Sequence, residues 1–130
     1  MMTPFEETSN TVDLINGALK DIIARHIKSH FGVDADIKAT QHKGGWDGYY
    51  VTFDDTMGTD VDKKMRGNKI LRTLFSSASL YGTAWYDEPN DTICMRFNVS
   101  YKHCDGGSNG HEIGMLYLNV ATGNGKWKKY

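Results

Sequence analysis

Residues 92–103, TICMRFNVSYKH, decide the fold. Ile93, Met95, Phe97, Val99 and Tyr101 alternate with Thr92, Cys94, Arg96, Asn98 and Ser100. Successive side chains of a strand point to opposite faces, so this period of two predicts a strand with one core face and one polar face. Upstream, LYGTAWYD (80–87) and the turn EPND (88–91) supply a second strand; downstream, EIGMLYLNVAT (112–122) supplies a third. The connection YKHCDGGSNGHEIG (101–114) is rich in glycine and asparagine, the residues that tolerate the positive backbone angles of a reversal. It reads as a hairpin.

Working outward, TSNTVDLINGALKDIIARHIKSHFG (8–32) places Val12, Ile15, Leu19, Ile22, Ile23 and Ile27 at three- and four-residue spacing, the pattern of one amphipathic helix. Ser9 or Thr11 would cap its start, Arg25, His26, Lys28 and His30 suit its negative end, and Gly32 can take the left-handed stop. VDADIKAT (33–40) and WDGYYVTFDD (46–55), separated by QHKGG (41–45), read as a β-hairpin with Val33, Ala35 and Ile37, then Tyr49, Val51 and Phe53, on one side. A second helix is expected over DVDKKMRGNKILRTLFSSASL (60–80), capped by Thr59 or Asp60, with Val61, Met65, Leu71, Leu74, Phe75 and Ala78 as its apolar stripe and Gly67 weakening its middle.

The order is therefore α-β-β-α-β-β-β. The expected fold class is α+β, with two helices packed on one face of a five-stranded, mainly antiparallel sheet. Residues 1–8 are expected to form a flexible N-terminal segment, 9–123 a single α+β domain, and 124–130 a basic aromatic tail.

The chain has 130 residues, 39% hydrophobic and 24% charged, with a formal net charge of -1, which fits one globular domain and argues against a disordered or membrane-embedded chain. No stretch approaches the roughly 20 apolar residues that cross a bilayer. The opening MMTPFEETSN lacks the basic and then apolar run of a secretory leader. Cys94 and Cys104 are too few for a disulfide framework. The expectation is a cytoplasmic protein with no membrane partner.

The residues that could carry chemistry cluster at the hairpin tip: His103, Cys104, Asp105, His111 and Glu112. His103 and His111 could face each other across the loop mouth as an acid and a base. Yet the spacing matches no paired C-x-x-C or H-x-x-x-H scheme, and zinc requires three or four ligands. Asp34 and Asp36 form a D-x-D pair on a solvated face, His26 and His30 stand at helical i, i+4 spacing, and DIK (36–38) has the tail spacing of a nuclease acid-lysine pair without its upstream acid. Walker, G-x-S-x-G and dinucleotide signatures are absent. The reading leans away from an enzyme: no catalytic residue, metal or cofactor is assigned, and a metal-dependent or histidine-based hydrolase ranks third.

The last strand carries the stronger signal. Ile113, Met115 and Tyr117 occupy one parity and Leu116, Leu118 and Val120 the other, so one apolar set should be left outside the core. The expected protein interface comprises Met115, Leu116, Tyr117, Leu118, Val120 and Trp127, meeting a protein partner or a second copy in a homodimer. The alternative is nucleic acid, held by Lys63, Lys64, Arg66 and Lys69 of the basic second helix (with Arg72) and by Lys126, Trp127, Lys128, Lys129 and Tyr130 of the tail, where cations interleave with aromatic rings.

The succession of a helix, the strand DADIKATQH (34–42), the turn KGG (43–45), the strand WDGYYVTFDD (46–55) and a helix resembles small accessory domains found with large polyvalent proteins of phages and conjugative elements, over roughly residues 10–80. The resemblance implies a mobile-element protein that binds and modulates host machinery, and it carries over no catalytic residues.

If the hairpin tip is structural, replacing His103, Cys104 and His111 together by alanine leaves thermal unfolding and metal content unchanged. Stoichiometric zinc in the purified protein, lost from that variant on elemental analysis, is the opposite result.

Overall fold

A computed structural model of the chain describes residues 3–32, 34–45, 48–56, 75–103 and 108–130. Helix α1 spans Pro4–Asn16, capped by the Thr3 hydroxyl, which accepts from the Glu6 amide at 3.2 Å; proline opens the helix, and Glu6 and Glu7 complement its positive end. Helix α2 spans Lys20–Phe31 and ends at Gly32, whose φ of 68° permits its N–H to donate to the Lys28 carbonyl at 2.9 Å.

One helix was expected here and two are present, the first starting at Pro4 rather than at Ser9 or Thr11. Residues 4–8, expected in the N-terminal segment, belong to α1. The break lies at Gly17, which leaves helical geometry, and the Leu19 amide donates to Leu14, five residues back, at 2.9 Å. The apolar stripe survives the break: Ile15, Leu19, Ile23 and Ile27 are all buried. Among the described residues no helix is long and apolar enough to cross a membrane.

The sheet has six strands in sequence order, each antiparallel to the next: β1 (Ile37–Lys43), β2 (Tyr49–Asp55), β3 (Phe75–Asp87), β4 (Thr92–His103), β5 (Ser108–Asn119) and β6 (Gly125–Lys129). The α+β class holds. The strand count is six rather than five because the tail is itself a strand, with Trp127 opposite Leu116 on β5.

Two further boundaries differ. Gln41, His42 and Lys43, expected in a turn, extend β1 and pair with Val51, Tyr50 and Tyr49; Gly44 closes the hairpin by donating to the Gly48 carbonyl at 2.7 Å. Residues 75–80, expected at the end of the second helix, open β3 instead, with Ala78 opposite Tyr101 and Leu80 opposite Val99. The long β4 needs a partner along its whole length, and that stretch provides it. The remainder of the expected helix, including Thr59, Asp60, Val61, Met65, Leu71 and Leu74, lies outside the described residues.

Both helices contribute to a core on one face of the sheet, where Val51, Phe53, Leu80, Ala84, Ile93, Met95, Phe97, Val99, Leu116 and Leu118 meet Ile15, Leu19, Ile23 and Ile27. Phe97 sits centrally and is opposite a glycine on each side, Gly82 of β3 and Gly114 of β5. Those gaps are filled by rings: Phe53 over Gly82, with centroid 5.0 Å from that of Phe97, and Trp127 over Gly114, at 5.7 Å. A Cβ on Gly114 would stand 2.5 Å from the indole and one on Gly82 would stand 1.7 Å from the Arg96 carbonyl, so neither position tolerates a side chain.

A bulge interrupts the β4–β5 ladder. Phe97 pairs with Gly114 and Asn98 with Glu112, leaving Ile113 as the extra residue. Ile113 thereby packs against the core, while Met115 and Tyr117 keep to the reverse face.

Ile23→Ala is expected to cost about 2–5 kcal/mol, as for a fully buried aliphatic residue, and Ile22→Ala less, because Ile22 is only partly buried. Denaturant unfolding of the two variants measures the difference; equal midpoints would mean that α2 packs through another face.

Candidate functional site

The face of the sheet away from the helices carries the feature that singles out a site. The register aligns one residue from each strand in a transverse row. His42 pairs with Tyr50; Val51 pairs with Ala84 at the end of the β2–β3 ladder, and Tyr50 and Trp85 are the next residues beyond that pair; Trp85 then pairs with Cys94, Cys94 with Tyr117, and Tyr117 with Lys126. His42 and Tyr50 stack with centroids 5.2 Å apart and planes 21° from parallel, and His42 Nε2 lies 2.8 Å from Thr52 Oγ1. Tyr50 is 46% and Trp85 40% exposed, large values for such side chains.

A parallel row reinforces this one. Arg96 lies between Thr83 and Met115 in the register, with its guanidinium 5.6 Å from the centre of the Trp85 ring, a cation-π contact worth about 0.5–1 kcal/mol at an exposed site. Its Nε is 3.5 Å from Glu112 Oε1, an ion pair without hydrogen-bond geometry. Met115 and Cys94 are both buried between these larger neighbours. Burial, and secondarily the charge of Asp87, raises the Cys94 thiol above its usual range, so it stays protonated and a poor nucleophile.

Of the residues expected at an interface, Met115 and Tyr117 lie on this open face, where the Tyr117 hydroxyl donates to Met115 Sδ at 3.5 Å. Leu116 and Leu118 face the helices and are buried, Val120 packs partly against the core, and Trp127 covers Gly114 in contact with Phe31 and Phe97 while stacking on His30. The doubled apolar character of β5 thus has two separate causes: one set makes the core, and the bulge moves Ile113 to join it.

Of the residues considered for nucleic acid, Lys126 and Lys128 border the open face beside Tyr117 and Met115, whereas Lys129 pairs opposite Gly114; all three are exposed. Lys63, Lys64, Arg66, Lys69 and Arg72 lie outside the described residues, as do Cys104 and Asp105. The register sets His111 opposite Val99, four residues before His103, a separation of about 13 Å along the strand.

Asp34 and Asp36 each pair with a lysine: Lys28 Nζ is 3.1 Å from Asp34 and Lys20 Nζ 3.3 Å from Asp36. Asp36 also accepts from the Thr56 hydroxyl at 3.0 Å, and that bond, then Lys20, lowers its pKa below 3.8. Its contribution to stability is therefore present above the ordinary carboxylate range and lost as pH falls through the lowered value. Among the described residues no three His, Cys, Asp or Glu side chains converge on a point.

The decisive residues, His42, Tyr50, Trp85 and Arg96, are not singled out by sequence. Alternation places Tyr50 opposite in sense to Val51 and Phe53, but only the strand register relates it to Trp85, each being the residue next beyond the Val51–Ala84 pair. Comparison with protein-family models, curated proteins and solved structures finds no match to this chain.

The two faces of β5 are expected to answer differently to charge. Leu118→Asp should unfold the protein, whereas Tyr117→Asp should leave its circular dichroism and unfolding cooperativity intact. Unfolding by both would place a cover over the open face.

Proposed function

We propose that the chain is a non-enzymatic protein-interaction module that engages its partner through the open face of the sheet. The observation that carries this reading is the transverse aromatic row, with Tyr50 and Trp85 exposed beside Arg96. Tyrosine, tryptophan, arginine and methionine are the residues enriched where protein partners bind most strongly, and here all four types neighbour one another on one surface.

Charge favours protein over nucleic acid. Lys38, Arg96, Lys126 and Lys128 on this face are offset by Asp54, Asp87 and Glu112, and Arg96 is already engaged by Glu112. A phosphate backbone requires an excess of cations along its track. Nucleic acid stays as the second reading because Lys126 and Lys128 flank Tyr117, the arrangement suited to a stacked base and its phosphate. The likeness of roughly residues 10–80 to accessory domains of phage and conjugative-element proteins supports a partner among host proteins, met in the cytoplasm.

The test is capture from a nuclease-treated bacterial lysate by the immobilised chain, compared with a Tyr117→Ala, Met115→Ala variant of equal stability. One partner retained at stoichiometric yield by the parent and lost from the variant is the expected result. Salt-sensitive binding of single-stranded DNA or RNA, abolished by removing Lys126 and Lys128, would transfer the function to nucleic acid.

A further inference from the structure

The β2–β3 ladder pairs residues 51–54 with 84–81 and stops there, although β2 begins at Tyr49 and β3 runs on to Asp87. The neighbouring ladders determine which main-chain groups are left over. Bonded pairs recur at every second residue, and the bonds from Gly44 to Gly48 and from Thr56 to Asp36 place Tyr50 and Thr52 among the residues whose backbone turns toward β1, so that of Tyr49 and Val51 turns toward β3. The bond from Val120 to Asp91 likewise turns Ile93 toward β5 and Cys94 toward β3; Trp85 then faces β4, and Ala84 and Tyr86 face β2. Tyr49 and Tyr86 are therefore the next bonding pair, and the ladder does not reach them. Among the described residues no side chain bonds to their backbone instead.

A cleft of about 300 Å³ lies at this point, lined by Tyr49, Tyr50, Trp85 and Tyr86 and, from α1, by Glu7 and Thr8. Alternation sends the side chains of Tyr49 and Tyr86 to the helix face, with Val51 and Ala84, and those of Tyr50 and Trp85 to the open face. Tyr86 packs against the core and Tyr49 meets Phe5 edge-on at 5.2 Å, while Tyr50 and Trp85 are exposed. Ladder bonds lie in the plane of the sheet, so a flat ligand bonded to the strand backbone turns one face to each side, and on each side both strands supply an aromatic residue. The bonding pattern such a ligand must present already exists at the β1 edge, where the Asn16 carboxamide accepts from the Ala39 N–H and donates to the Ala39 carbonyl. A lactam carries the same adjacent C=O and N–H, held in a flat ring.

We propose that this cleft binds the lactam edge of a planar heterocycle of the nucleobase class, free as a nucleoside or carried in a single strand, with the ring bonded to the main chain of Tyr86 or Tyr49 in the gap between β2 and β3. The site goes beyond the protein partner proposed for the open face and does not depend on it.

The experiment uses the intact chain labelled with nitrogen-15 tyrosine and follows the backbone amide resonances of Tyr86 and Tyr49, identified by their absence from Tyr86→Phe and Tyr49→Phe. The probes are uridine and inosine, each beside the derivative methylated on its lactam nitrogen, 3-methyluridine and 1-methylinosine, and then a short oligouridylate. Uridine or inosine should shift one of the two amides saturably at millimolar concentration, methylation should weaken binding about tenfold because it removes the donor, and Trp85→Ala should weaken it by a similar factor because it removes one stacking face. An oligouridylate that binds no more tightly than uridine identifies a site for a free nucleoside; tighter binding identifies a site for a base within a strand. Equal binding of methylated and unmethylated probes, or no shift of either amide with any probe, overturns the proposal. Neither result depends on capture through Tyr117 and Met115, so the two proposals fail separately.

Discussion

The structure depends on how Phe97 is accommodated. A phenylalanine in the middle of the longest hairpin pair would crowd both neighbouring strands, and glycine at positions 82 and 114 removes that conflict. Glycine weakens a strand by exposing backbone and adding nothing to pack. The loss is offset because Phe53 and Trp127 lie over the two glycines, so that large and small residues alternate across four strands. Phe31 at the end of α2 then docks on Phe97 and Trp127, with centroids 6.0 and 5.0 Å away. One row thereby fixes strand register, the position of α2 and the inclusion of β6 in the sheet.

Legibility in the sequence follows from which signals are local. The alternation in residues 92–103 and the stripe Ile15, Leu19, Ile23, Ile27 both read correctly because each depends on the geometry of one element. The interruption between α1 and α2 is invisible to that stripe: its four-residue spacing runs across Gly17 unchanged, and the deviation appears only in the bond from Leu19 to Leu14. The parity of β5 misleads for a related reason. A bulge inserts one residue, so Ile113 and Met115 have the same parity in the chain yet opposite faces in the sheet. Trp127 is legible as an aromatic residue among lysines, but not as the cover of a glycine in the preceding strand. The aromatic row is the least legible feature, since its members come from different strands and no local pattern relates Tyr50 to Trp85.

The two sheet edges are treated differently, and this bears on how a partner can approach. At β1 the backbone of Ala39 points outward, where a further strand would pair, but the Asn16 side chain accepts from its N–H at 2.8 Å and donates to its carbonyl at 3.0 Å. One carboxamide occupies the place of a neighbouring strand. It comes from the last residue of α1, so the helix break that follows also serves to bring that side chain to the edge. Gln41 adds a contact from the same strand to the Phe5 carbonyl.

At β6 the bonds from Asn119 to Asn124 and from Tyr130 to Ile113 set the alternation of the ladder, which leaves the backbone of Gly125, Trp127 and Lys129 directed outward. This edge is short and carries Lys126, Lys128 and Lys129, and α2 leans on its start, with His26 so near Gly125 that a Cβ there would stand 2.4 Å from the imidazole. Two such strands laid antiparallel about Trp127 would set Lys126 against Lys128, so pairing with a second copy is opposed by charge. With β1 sealed by Asn16 and β6 guarded by lysines, strand addition is the less favourable route at either edge. For the proposed partner the aromatic face is the accessible surface, and the row from His42 to Lys126 crosses every strand that a docked surface would have to span.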